Sequence, residues 1–215
     1  MPEPAILRST AAVGLLTALL LLVNDARRVG LLPDTDLLTA IAPVPAVLAL
    51  LAVVGLGLGQ RERAGRVGAA GAALLLAGTA GLLVVEFSTH YVFRGLDPAT
   101  VAGLVTPRVR AGFLTIAALF ALGTVLFTAG GLRAGRYPRW ALGLFAVGFL
   151  LAATRGFTPE WVVSLGFLVG PAGLVGLCLA LYRDPQPGAP AAGPRPNGSR
   201  SRGSGVGAQR PSTTA

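Results

Sequence analysis

Glu86, His90 and Arg94 stand at four-residue intervals directly after a long apolar run, and Asp97-Pro98 follows them. On a helix, four residues advance only about 40° past a full turn, so the three side chains share one face. A carboxylate beside an imidazole raises its pKa and poises it to titrate near neutrality. That chemistry suits a proton relay, a ligand anchor or one weak metal site. A plainer reading competes with it. The apolar run 67–85 is about 28 Å long at ~1.5 Å per residue, so Glu86 reaches the headgroup zone still hydrated. A charge there is inexpensive, His90 is then a solvated interfacial residue, and Glu86–Arg94 is an ordinary surface pair.

The other candidates lie at the same ends of the apolar runs. Trp140 to Thr154 is a short span, about 22 Å at ~1.5 Å per residue. Arg155, which follows it, is therefore drawn toward the bilayer and needs an acid partner. Glu86 and Asp25 are the acids available, giving an expected partly buried cluster of Asp25, Glu86, His90 and Arg155.

Other chemistry is poorly supported. His90 is the single histidine, and two ligands at four-residue spacing do not make a zinc site without a third. Cys178 is the single cysteine, which leaves no internal disulfide and no thiolate pair for zinc or iron–sulfur; it reads as a packing residue. No HExxH, Walker glycine loop or GxSxG is present. The sequence therefore calls for no metal and no cofactor, and no catalytic residue is assigned.

The elements that position these residues are membrane helices. The chain has 215 residues, 53% hydrophobic and 13% charged, with the apolar residues in blocks rather than stripes. The expected fold is all-α, a polytopic transmembrane bundle of six spans. These cover Ser9 to Val23, Leu37 to Gly59, Val67 to Val85, Ala111 to Leu132, Trp140 to Thr154 and Trp161 to Tyr182. The first run reads as a retained helix, since Asn24-Asp25-Ala26 offers no small-x-small cleavage site. Pro43 and Pro45 are expected to bend the second span, and Pro171 to kink the sixth. Asp97 reads as an N-cap with Pro98 at the first helical position, opening a short interfacial helix near Pro98–Val105.

The domain reading is residues 1–183 as the six-helix domain and 184–215 as a disordered cytoplasmic tail rich in Pro, Gly, Ser and Arg. Arg61, Arg63 and Arg66, with Arg133, Arg136 and Arg139, sit in two short turns between spans. They favour cytoplasmic N- and C-termini in the plasma membrane. The net charge of +9 is accounted for by such clusters, and no nucleic-acid partner is called for. The Ala, Gly, Leu, Arg and Pro bias suits a GC-rich bacterial genome.

The expected partner is the lipid bilayer. Glycines along the third span (Gly68, Gly71, Gly78, Gly81) and in Gly166-x-x-x-Gly170 also offer close contacts to a second copy or another membrane protein. Three functions follow. The first is a membrane-embedded interaction or scaffold protein, favoured by glycine-rich faces and few interior polar groups. The alternative is a small transporter or ligand-binding permease with its polar cluster at the outer helix ends. The third and weakest is a membrane enzyme, with His90 as base and Glu86 orienting it. A lined cavity in the bundle would separate the second from the first.

Overall fold

A computed structural model describes residues 4–183. The expected tail, 184–215, lies outside the described residues. The helices are α1 (Pro4–Arg28), α2 (Asp36–Ala40), α3 (Val44–Phe87), α4 (Pro98–Leu104), α5 (Pro107–Ala134), α6 (Arg139–Ala153) and α7 (Glu160–Arg183), with a π-helical turn at Ser88–Phe93. The fold is all-α, a helical bundle.

Among the described residues, four stretches are long and apolar enough to cross a membrane: Ala5–Arg28, Asp36–Phe93, Pro107–Ala134 and Glu160–Arg183. At 15 residues, α6 is shorter. Large apolar side chains such as Leu19, Leu51, Leu122, Val147 and Leu168 are exposed on the outside of the rods, as suits a protein solvated by lipid.

The stretch Asp36–Phe93 is not one straight rod. Gly65 takes φ +62° and ψ −161°, a conformation essentially confined to glycine, and the chain reverses there. A methyl group at Gly57 would lie 3.3 Å from Ala72 Cβ, which places the two arms, 44–64 and 66–87, side by side. At their far ends Tyr91 donates its hydroxyl to the Ala40 carbonyl at 2.5 Å.

The rods form a closed ring. α1 packs on α3, α3 on α5, α5 on α6, α6 on α7, and α7 returns to α1. Small residues make the tight pairs. A methyl at Gly71 or Gly78 would meet the backbone of Phe127 or Phe120 on α5, and one at Gly166 or Gly173 the backbone of Ala152 or Phe145 on α6. Those glycines thus serve contacts within this chain. The Gly65 end of the ring is filled by the buried side chains of Leu56, Phe127, Leu142, Leu177 and Leu181, with Cys178 among them. Tyr137 closes it, donating its hydroxyl to the Leu56 carbonyl at 2.9 Å.

Several boundaries differ from the sequence reading. α1 does not stop at Val23 but carries Asn24 to Arg28 in its last turns, so it is 25 residues long rather than a short rod. Pro43 and Pro45 do more than bend the second span. They set off α2 from α3, and Pro43 sits at the N-cap of α3. In the turn between them Ala46 N–H bonds Pro43 rather than Ala42. The Ala42 carbonyl instead accepts from Asn24 Nδ2 at 2.9 Å, which ties α1 to this break. Asp97 caps α4 as expected, accepting from the backbone of Ala99 and Thr100. α7 runs unbroken past Pro171.

Candidate functional site: a cavity under a charged mouth

A closed ring of helices that touch through small residues leaves space at its centre. A cavity of about 650 Å³ occupies the half of the bundle away from Gly65. Its walls come from α1, both arms of α3, α5, α6 and α7. The deeper part is apolar, with Leu75, Phe120, Phe145 and Phe149 at its base. The three phenylalanines brace one another: Phe120 meets Phe149 edge-on at 6.0 Å between ring centres, and Phe149 meets Phe145 at 4.9 Å. Thr17 and Thr79 also line the wall, but each hydroxyl donates to the carbonyl four residues back in its own helix, which blunts its polarity.

The mouth carries the charges. Glu86 Oε1 accepts from Arg155 Nη1 at 3.1 Å, and Glu86 Oε2 lies 3.2 Å from His90 Nε2. Glu86 and His90 are mostly buried, at 25% and 19% side-chain exposure; Arg155 is half exposed. His90 and Glu86 thus meet through a hydrogen bond one helical turn apart.

Across the mouth, Asp25 and Arg28 pair at 2.5 Å on the last turn of α1. Arg28 Nη2 also donates to Ser164 on α7 at 3.2 Å, and its guanidinium lies over the Phe167 ring at 4.9 Å. The Arg28 Nε and Nη1 groups are buried and reach no acceptor within hydrogen-bond distance. Glu160 Oε2 stays 3.9 Å from Nε and Glu160 is itself largely exposed. An unmet buried donor costs about 1–3 kcal/mol, so Arg28 holds unspent donor capacity at the cavity wall.

A second network caps the mouth from outside. Asp34 accepts from Arg27 at 3.3 Å and from Arg94 at 3.2 Å, and Thr39 Oγ1 accepts from both arginines. Arg94 has thus left the Glu86–His90 face. The helical run ends at Arg94 after the π-helical turn Ser88–Phe93, and the Arg94 side chain turns to Asp34 and Thr39.

The structure therefore brings Glu86, His90 and Arg155 into one cluster, places Asp25 at the same mouth on Arg28, and sends Arg94 to Asp34. Sequence reasoning did not assign Arg27, Arg28, Asn24, Asp34 or Thr39 to the site. One signal was available: Asp25 and Arg28 stand at i,i+3 spacing, the mark of a pair on a continuing helix. Among the described residues no group of three His, Cys, Asp or Glu side chains is placed to hold a metal ion.

In comparisons with known proteins, the chain matches no family model, no curated protein and no solved structure.

Proposed function

We propose that this chain is a small ligand-binding protein of the plasma membrane, of the permease or carrier kind, that takes its ligand into the bundle through the charged mouth. One observation carries this reading: the bundle is hollow. Protein interiors close-pack with few voids larger than a water molecule. A scaffold built only to present its outer faces gains nothing from an interior space. The cavity of about 650 Å³ falls within the ~300–1,000 Å³ usual for small-molecule sites, and joins an apolar base to a few polar groups that fix orientation. In this reading all six rods cross the bilayer, both arms of α3 included. The Gly65 turn and the chain termini then lie in the cytoplasm, where Arg61, Arg63, Arg66, Arg133, Arg136 and Arg139 belong, and the mouth faces outward.

Native mass spectrometry of the full chain, extracted gently from its membrane, tests the reading. A small-molecule adduct is expected on the wild type and is lost in Ala49→Phe and Ala117→Phe, which fill the cavity from two walls. A folded wild type without adducts, indistinguishable from both variants, returns the protein to the scaffold reading.

A further inference from the structure

We propose that the ligand is a single-chain amphiphile with an oxyanion head, carboxylate or phosphate, and that Arg28 is the residue that anchors the head. This rests on the cavity being a ligand site.

The shape argues for the chain. Leu75 lies at the base of the cavity and Glu86 at its mouth, both on the second arm of α3. The rise between them is about 16 Å at ~1.5 Å per residue. That is close to half of the ~30 Å hydrocarbon core, the depth one leaflet gives a lipid tail. The walls along this depth are alanine, leucine, isoleucine, valine, proline and phenylalanine, and Thr17 and Thr79 there donate to their own helices. A polar metabolite would lose its hydration there without gaining partners. A hydrocarbon chain would lose none.

The charges argue for the head. Every carboxylate at the cavity is already engaged by an arginine: Asp25 by Arg28, Asp34 by Arg27, Glu86 by Arg155. A cationic head would have to share a carboxylate with the arginine already on it. The buried polar atoms at the cavity that lack a partner are donors, Arg28 Nε and Nη1. Asp25, Ser164 and the Phe167 ring hold this guanidinium in its orientation at the cavity wall; Nε and Nη1 are covered, so the side chains over them shift when an oxyanion reaches them. Arg28 thereby serves as fixed anchor, while Arg27 and Arg155 stay on their own carboxylates.

The test measures equilibrium binding to the full chain in nanodiscs of uncharged lipid, using dodecanoate, dodecyl phosphate, dodecanol and inorganic phosphate. The two single-chain oxyanions are expected to bind at least about tenfold more tightly than dodecanol, and inorganic phosphate not to bind measurably. The tighter of the two oxyanions identifies the head as fatty acid or phospholipid-derived. Arg28→Lys keeps a cation beside Asp25 but removes the guanidinium. It should weaken both oxyanions about tenfold and leave dodecanol unchanged. Dodecanol binding as tightly as dodecanoate, or oxyanion binding unmoved in Arg28→Lys, overturns the anchor while leaving the cavity intact, provided Ala117→Phe still abolishes dodecanol binding. Failure of every chain-bearing probe to bind, or binding indifferent to Ala117→Phe, removes the cavity as a ligand site and the anchor with it.

Discussion

Arg155 Nη1 sits 3.1 Å from Glu86 Oε1 and ties the loop after α6 to the end of the second arm of α3. Directly across the mouth, Arg28 and Asp25 form a second pair at 2.5 Å. The two differ in their surroundings. Arg155 is 45% exposed, whereas the Arg28 and Asp25 side chains are 19% and 13% exposed. An exposed ion pair is worth about 0.2–1 kcal/mol, while removing one partner of a pair held out of water leaves a charge stranded. Thermal unfolding in detergent should rank them accordingly. Arg155→Ala and Glu86→Gln each lower stability by less than about 1 kcal/mol. Asp25→Ala lowers it by about 1–3 kcal/mol because Arg28 loses its counter-ion. Unchanged stability in both Arg155→Ala and Glu86→Gln would dissolve the cluster as a structural unit.

Gly65 offers a cleaner test of the fold. Its backbone lies in a region that a side chain disfavours by about 1–3 kcal/mol, and nothing stands within 4 Å of where a Cβ would be. Gly65→Ala therefore reports backbone strain with no steric clash mixed in. Stability should fall by about that amount, with the cavity and its ligand binding retained, since the turn lies at the opposite end of the bundle. An undiminished midpoint would mean that the two arms of α3 are not joined by this reversal.

The apolar blocks made the rods legible, because a helix in lipid must be apolar along its length whatever it binds. Glu86, His90 and Arg155 were legible as a group for a related reason: charges in such a chain can stand only at rod ends, and those three fall at the same end. Asn24 and Arg28 were not, because hydropathy marks where lipid contact stops and not where a helix stops. α1 continues past Val23 by turning its polar residues into the ring. The cavity was also out of reach. It arises from the cyclic order in which the helices meet, and Leu75 and Phe149 read alike in a sequence whether they face a neighbour or a void. Pro43 and Pro45 told of a disturbance but not of its remedy, the hydrogen bond from Asn24 to Ala42.

His90 Nε2 lies 3.2 Å from Glu86 Oε2, and Arg155 Nη1 holds the other oxygen at 3.1 Å. One carboxylate thus serves two partners from two elements. Substitutions at residues that share a partner do not add, and their coupling is about 0.5 kcal/mol or more. The thermal midpoints of His90→Ala, Arg155→Ala and the double variant should therefore depart from additivity by about that amount. Losses that simply add would mean that the two contacts with Glu86 are independent and that the mouth holds no shared cluster.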